Sequence, residues 1–215
     1  MKILGRYLLS ASFMAGMFGL GIYSYQQTVA NAQPAPPPPG SLARFGSPAL
    51  GAADAKVEIV EFLDPACEGC RAFFPIVKET LAQYPGQVRL VVRHVAFHRG
   101  ADYVIRVLEA SRKQGKYWEV LETLFAKQSA WAVNHTAQPA AVLASLSGLG
   151  LDMQRLQRDM NTPEVSQLMA QDMADAKVLK VVQTPDFYIN GKQLQPFGVD
   201  EFRQRVREAV GAAYR

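Results

Sequence analysis

Hydrophobic and polar positions alternate along residues 56–64, KVEIVEFLD, and β-branched and aromatic side chains are frequent there, which predicts a largely buried strand. Residues 67–84 follow with apolar side chains at helical spacing, and this pattern ends at Pro85-Gly86, a stop-and-turn signal. Residues 87–97, QVRLVVRHVAF, are apolar enough for a strand in the middle of a sheet. The first part of the folded chain is therefore predicted to be β-α-β.

From residue 101 onward the apolar positions recur at helical spacing, and glycines and prolines separate one helical stretch from the next. The pattern then returns to strands, because PDFYI and KQLQPF flank Asn190-Gly191, the strongest two-residue hairpin signal. The last stretch, VDEFRQRVREAV, is an amphipathic helix. The sequence thus predicts an α/β domain over residues 56–213, in which β-α-β and β-β-α units are separated by a helical insertion at about residues 101–180.

The chain begins with the pattern of an export signal. Lys2 and Arg6 precede an uncharged run at residues 7–25, and Ala30-Asn31-Ala32 has the small side chains that a signal peptidase prefers. The uncharged run is also just long enough to cross a bilayer. Residues 1–32 are therefore predicted to be a cleaved signal peptide or a retained membrane anchor, and either delivers the protein to an oxidising, extracytoplasmic compartment, the periplasm.

A tether is predicted between this leader and the folded domain. Residues 33–55 are rich in proline, alanine and glycine, and residues 36–39 are four consecutive prolines, which favour an extended polyproline conformation. Folded structure is expected to begin near Lys56. The 215 residues suit one domain of ordinary size, and the net charge of +4 forms no basic stripe, so nucleic acid is not an expected partner.

Cys67 and Cys70 are the only cysteines, and three chemical uses are open to them. A zinc site needs further ligands at suitable spacing, and the three histidines are scattered along the chain. A disulfide that closes so short a loop stabilises a fold very little. A redox couple suits the placement better, because Cys67 lies at a helix start, where unpaired N–H groups and the helix dipole favour a thiolate. No metal ligand and no cofactor are expected.

Three motifs in the chain resemble those of one known family. Pro75 stands eight residues after Cys67, residues 97–125 contain the turn QGKYW, and residues 181–194 read VVQTPDFYINGKQL. In this order they resemble the DsbA-like branch of the bacterial disulfide-bond family, with a thioredoxin-like fold that carries a helical insertion. The resemblance spans about residues 54–210.

That resemblance implies a role for each matching residue. Cys67 is expected to be the nucleophile that forms a mixed disulfide with substrate, and Cys70 the resolving thiol. Thr184 and Pro185 match the family's cis-proline loop, which pairs with the substrate backbone. Glu61 occupies the position of a buried acid that relays the proton of Cys70. A surface acid on an edge strand is the alternative interpretation of Glu61.

Glu68 and Gly69, between the cysteines, are expected to tune the reduction potential. A carboxylate about 6 Å from the sulfur disfavours the thiolate by about 0.7 kcal/mol at the dielectric of water and about 3 kcal/mol at an effective dielectric near 20. A less stable thiolate makes a weaker oxidant. The sequence therefore favours an exported oxidase of moderate potential, acting on unfolded or cysteine-containing exported proteins with a quinone-linked membrane partner. A reductase or isomerase with an electron-donating membrane partner, or a Cu(I)-binding protein, are the alternatives.

Overall fold

The computed structural model describes residues 42–44 and 46–215. Five strands of this part of the chain form one mixed sheet in the order β1-β3-β2-β6-β7, and β4 and β5 form a separate small hairpin. The strands are β1 (Ala49–Leu50), β2 (Val57–Leu63), β3 (Val88–His94), β4 (Ala132–Val133), β5 (Thr136–Ala137), β6 (Asp186–Ile189) and β7 (Lys192–Gln193).

Eight helices accompany these strands in the described residues. They are α1 (Glu68–Gln83), α2 (Ala101–Arg112), α3 (Tyr117–Ala126), α4 (Gln128–Trp131), α5 (Pro139–Ser145), α6 (Met153–Asp159), α7 (Pro163–Val178) and α8 (Val199–Ala213). The helices α2 to α7 separate the β2-α1-β3 unit from the β6-β7-α8 unit. The predicted thioredoxin-like α/β fold with a helical insertion is therefore confirmed.

The sheet is buried on both faces around β2, which explains why the sequence of this strand is apolar almost throughout. β2 pairs with β3 in parallel, from Val57 opposite Val88 to Leu63 opposite His94, and with β6 in antiparallel orientation. Alternate side chains of β2 enter different cores. Ile59 and Leu63 pack with both cysteines and the insertion, whereas Val60 and Phe62 pack with α7 and Tyr188. Side chains of β2 on the same face as Ile59 therefore point towards α1, the helix that begins directly after Cys67.

The folded structure begins earlier than Lys56, which corrects the predicted boundary. Ala49 and Leu50 pair with the edge of β3, and Ala43 is buried. The Arg93 guanidinium donates a hydrogen bond of 2.6 Å to the Leu42 carbonyl. The pairing with β1 satisfies backbone groups at the edge of β3, and the Leu42 carbonyl satisfies part of the buried Arg93 guanidinium. The composition of this segment does not reveal these contacts.

The predicted leader, residues 1–32, and residues 33–41 of the predicted tether lie outside the described residues. In residues 42–44 and 46–215, no helix has both the length and the apolar character that a membrane crossing requires.

Candidate active site

The dithiol lies where β2 ends and α1 begins. Cys67 has an extended backbone (φ −77°, ψ 125°) and is the N-cap of α1, and Cys70 lies within the first turn. The Asp64 side chain accepts a hydrogen bond from Ala66 N at 2.8 Å, and the Asp64 backbone carbonyl accepts one from Cys67 N at 3.0 Å. Both cysteines are free thiols; Cys67 is 8% exposed and Cys70 fully buried. Only Cys67 can therefore be reached from solvent.

Hydrogen bonds to the sulfur favour ionisation of Cys67. The Cys70 thiol contributes most, followed by the Thr184 side chain and the backbone N–H groups of Cys70 and Gly69, and together they lower the pKa of Cys67 to about 5 against the opposing effect of burial. The thiol also donates to the Thr184 carbonyl at 3.2 Å, a contact that favours the protonated form. The donors prevail because several converge on the sulfur at a helix N-terminus. Cys67 is a thiolate at neutral pH.

Alkylation of the reduced protein by iodoacetamide is expected to follow this ionisation, with a midpoint near pH 5 instead of the ordinary 9.0. Because the pKa is lowered on folding, the contribution of Cys67 to the stability of the reduced protein grows as pH rises from about 5 towards 9, and is lost as pH falls through 5. Mass spectrometry of Cys67 across pH 4–10 measures the midpoint. The Cys67→Ser variant, which retains only buried Cys70, is the control for non-specific labelling. A midpoint near 9 would contradict the assignment.

Cys70 has the opposite character. Burial is the main cause that raises the pKa of Cys70 well above its ordinary 9.0, and the hydrogen bond with Cys67 and the charges of Glu61 and Cys67 act in the same direction. A thiol in this state becomes a nucleophile only when a neighbouring base accepts its proton. The two sulfurs are thus chemically distinct, one ionised and accessible and the other protonated and enclosed.

Glu61 lies on β2, between β3 and β6, with no exposed surface. The alternative interpretation of Glu61 as a surface acid on an edge strand is therefore wrong. Burial, followed by the charge of Cys67, raises the pKa of its carboxyl to about 8, and neither oxygen has a hydrogen-bond partner among the described residues. The negative charge of Glu61 adds to the effect of burial in raising the pKa of Cys70, so the two groups interact electrostatically. A carboxyl that titrates near neutral pH suits proton transfer.

The cis-proline loop lies against the dithiol. The Thr184–Pro185 peptide bond is cis, as the resemblance to the DsbA-like branch implied. A Cβ atom added to Gly69 would lie 3.3 Å from Pro185 Cδ, 3.4 Å from the Thr184 carbonyl oxygen and 3.5 Å from Cys67 Sγ. The absence of a side chain at Gly69 therefore allows the loop to approach α1 closely. The sequence predicted only a redox-tuning role for Gly69, and this spatial role was not predicted.

Glu68 is exposed in the first turn of α1, and it is absent from the groups that shift the pKa of Cys67. Water screens an exposed carboxylate, so its effect on the thiolate falls at the low end of the expected range, about 0.7 kcal/mol. The tuning role of Glu68 stays a prediction, with a smaller expected size.

Two residues near the dithiol were not identified from the sequence. The buried Gln128 amide donates to the carbonyls of Pro65 at 2.9 Å and Cys67 at 3.0 Å, which ties the helical insertion to the start of α1. The buried Asp64 carboxylate accepts three backbone N–H groups, those of Ala66, Phe97 and His98, and contacts the His98 ring at 2.9 Å. Neither belongs to a motif, and their contacts depend on how distant segments pack.

Within the part of the chain that the structure describes, no group of three or more histidine, cysteine, aspartate or glutamate side chains is arranged to hold a metal ion. The candidate site consists of the dithiol, Glu61 and the cis-proline loop.

Residues 44–208 match the sequence profile of the thioredoxin family. A thioredoxin-like oxidoreductase from Silicibacter pomeroyi DSS-3 is 33% identical, with a TM-score of 0.66 over 78% of this chain and 91% of that one. The structure of alpha-DsbA1 from Wolbachia pipientis is 16% identical, with a TM-score of 0.69 over 80% and 95% of the two chains, and shows the shared fold.

One relative that matches this chain in sequence is named as an antiporter. The Na(+)/H(+) antiporter NhaA of Herminiimonas arsenicoxydans is 30% identical over 145 residues, which are 67% of this chain and 22% of the antiporter. The chain spans about a fifth of that relative's length. Because the thioredoxin match covers more than half of this chain and a solved relative at 33% identity shares its fold, the chain belongs to the thioredoxin family.

Proposed function

We propose that the chain is exported and exchanges disulfides with cysteine-containing proteins through the Cys67–Cys70 pair, and that it acts as an oxidase of moderate potential. The observation that carries this proposal is the contrast between the two sulfurs. Cys67 is ionised and partly accessible, whereas Cys70 is protonated and buried. That asymmetry is what an attacking thiol and a resolving thiol require.

In the oxidising direction, a substrate thiolate attacks the Cys67 sulfur of the Cys67–Cys70 disulfide. A substrate–Cys67 disulfide forms, the bond to Cys70 breaks, and Cys70 leaves with the electron pair and takes a proton from Glu61. A second substrate thiolate then attacks its own half of the mixed disulfide and releases Cys67 as a thiolate. The substrate has lost two electrons and the enzyme has gained them. The Thr184–Pro185 loop, which lies beside Cys67, is proposed to pair with the substrate backbone.

The low pKa of Cys67 supports the oxidase direction, because a stable thiolate stabilises the reduced enzyme and makes its disulfide a stronger oxidant. Glu68 opposes this effect by about 0.7 kcal/mol, so the potential is proposed to be slightly less oxidising than a neutral residue at this position would give. The leader pattern of the first 32 residues supports the periplasm as the location, where the enzyme would be reoxidised by a quinone-linked membrane partner.

The redox state of the pair in cells tests the direction. Cells are quenched with acid and free thiols are labelled with a mass tag. A mostly oxidised pair supports the oxidase, whereas a mostly reduced pair would identify a reductase or isomerase. An insulin-reduction assay with and without a copper chelator tests exchange itself. Exchange that is unaffected by the chelator supports the proposal, and Cu(I) binding without exchange would overturn it.

Replacing Glu68 with glutamine is expected to lower the pKa of Cys67 by about half a unit and to make the potential about 15 mV more oxidising, which corresponds to about 0.7 kcal/mol. The reason is that the variant removes an exposed negative charge beside the thiolate and leaves the size of the side chain unchanged. Equilibration with glutathione measures the potential. The Glu79→Gln variant removes an exposed carboxylate further along α1 and is the matched control. Equal potentials for wild type and Glu68→Gln would show that Glu68 has no tuning role.

A further inference from the structure

One buried side chain of the helical insertion contacts the turn that carries Cys67. Gln128 is the first residue of α4 and is 2% exposed. Its amide nitrogen donates hydrogen bonds to the Pro65 carbonyl at 2.9 Å and to the Cys67 carbonyl at 3.0 Å. Both neighbours are carbonyl oxygens, which only accept hydrogen bonds, so the nitrogen of the amide faces them. Both N–H groups of the Gln128 amide are therefore used on the turn between β2 and α1.

The turn between β2 and α1 is held from two sides. Asp64 accepts hydrogen bonds from the N–H groups of Ala66 and Cys67, whereas Gln128 donates to the carbonyl groups of the turn. The Cys67 carbonyl also accepts the first hydrogen bond of α1, from the backbone at position 71 at 3.2 Å. The Pro65 carbonyl has no other donor among the described residues. Gln128 thus completes the hydrogen bonding of the turn.

The position of Gln128 is fixed by its own neighbours in the insertion. Trp131, at the other end of α4, is fully buried, and its ring N–H donates to the Leu124 carbonyl at 2.7 Å. Lys127, directly before Gln128, donates from its side chain to the Ser145 carbonyl at 2.9 Å. These contacts hold α4 against α3 and α5. The amide of Gln128 therefore approaches the turn from a fixed point in the insertion.

The remaining polar atom of this amide is unsatisfied. Gln128 Oε1 is buried and has no hydrogen-bond partner among the described residues. A buried acceptor without a donor lowers stability, and in a native protein it calls for an explanation such as a functional role. A side chain that only filled space here would be more stable without the amide. The two bonds that the nitrogen makes to the turn point to the reason for its presence.

A donor on the Cys67 carbonyl also restrains the backbone that follows it. Because the peptide unit is planar, rotation about the Cα–C bond of Cys67 (ψ 125°) moves the carbonyl oxygen and the next N–H groups together, relative to the sulfur. Among these are the N–H groups of Gly69 and Cys70, which stabilise the thiolate. The first turn of α1 is close to the sulfur, since a Cβ atom added to Gly69 would lie 3.5 Å from it. A fixed carbonyl therefore means fixed N–H groups at the sulfur.

We propose that Gln128 is a positioning residue for disulfide exchange, which holds the Cys67 carbonyl and so keeps the N–H groups of Gly69 and Cys70 directed at the Cys67 sulfur. The proposal rests on the proposed function, because this sulfur is the one that exchanges disulfides. Gln128 is absent from the groups that act on the sulfur directly, so its influence passes through the backbone. The helical insertion thereby contributes to the stability of the thiolate.

The Gln128→Met variant tests the proposal, because methionine has a similar length and no amide. The midpoint for alkylation of Cys67 by iodoacetamide is expected to rise from about pH 5 to about pH 6, since a thiolate with fewer directed N–H groups is less stable. The enzyme disulfide and two molecules of reduced glutathione are in equilibrium with the dithiol and one molecule of oxidised glutathione. At pH 7 this equilibrium should shift about tenfold towards the enzyme disulfide, which corresponds to about 30 mV.

The Gln114→Met variant is the matched control. The Gln114 amide also makes two hydrogen bonds to backbone, donating to the Asp152 carbonyl at 3.1 Å and accepting from the Asp152 N–H at 2.9 Å, and Asp152 is outside the dithiol turn. This variant should lower the free energy of unfolding in urea and leave the alkylation midpoint and the glutathione equilibrium at wild-type values. The same result for Gln128→Met would show that Gln128 only stabilises the fold, and would overturn the proposal.

The Gln128→Asn variant keeps the test decisive if Gln128→Met does not fold. It retains an amide and withdraws it by one carbon–carbon bond, about 1.5 Å, so it should shift the midpoint and the equilibrium in the same directions. A shifted midpoint with an unchanged equilibrium in either folded variant would also contradict the proposal. A wild-type protein that forms no Cys67–Cys70 disulfide with glutathione would instead overturn the proposed function.

Discussion

Replacing Cys67 with serine is expected to reduce disulfide exchange to the background rate, whereas replacing Cys70 with serine should trap mixed disulfides with substrate proteins. The first change removes the thiolate, and the remaining thiol is buried and protonated at neutral pH. The second leaves the activated sulfur in place and removes the group that resolves the intermediate. Insulin reduction measures the loss, and non-reducing gels of cells that express Cys70→Ser reveal the trapped complexes.

The double variant with both serines is the control for these experiments, because it should give neither turnover nor trapped complexes. Comparison with it separates mixed disulfides from non-covalent association. Normal turnover by Cys70→Ser would show that the roles of the two cysteines have been assigned wrongly.

Replacing Glu61 with glutamine is expected to slow resolution of the mixed disulfide by about 10²-fold, because the side chain keeps its shape and can no longer accept the proton of Cys70. Acid-quenched time courses with oxidised glutathione measure this step directly. Formation of the mixed disulfide depends on Cys67 and should change much less. Equal slowing of both steps would point to a distorted site instead of a lost base.

The same variant is expected to increase the stability of the reduced protein. Folding raises the pKa of Glu61 from the ordinary 4.5 to about 8, so the contribution of this group to wild-type stability falls as pH rises from 4.5 to 8, opposite in sign to that of Cys67, and the group has no effect below 4.5. The difference corresponds to at most about 5 kcal/mol at pH 8. Urea unfolding at pH 4.5 and pH 8 should therefore show a gain for Glu61→Gln that is larger at pH 8. A gain independent of pH would contradict the raised pKa.

The order of the elements was readable from the sequence because each one follows from local patterns. The apolar run of β2, the stop signal after α1 and the Asn190-Gly191 hairpin all appear in the structure where the sequence predicts them. The hairpin formed by β4 and β5 lies within the predicted helical insertion and was not predicted, and Trp131 before it is fully buried. Strands of two residues are too short to produce a recognisable alternation.

The sequence by itself determined which residues are candidates for the chemistry, because two cysteines at a helix start and a TP motif are local features. Only the tertiary structure decided the properties of each group. It buried Glu61 in the interior and brought the Thr184 carbonyl to within 3.2 Å of the Cys67 sulfur. The physical reason is that burial and hydrogen bonding depend on residues far apart in the chain. Those contacts give the two sulfurs different properties, with a lowered pKa at the partly accessible Cys67 and a raised pKa at the buried Cys70.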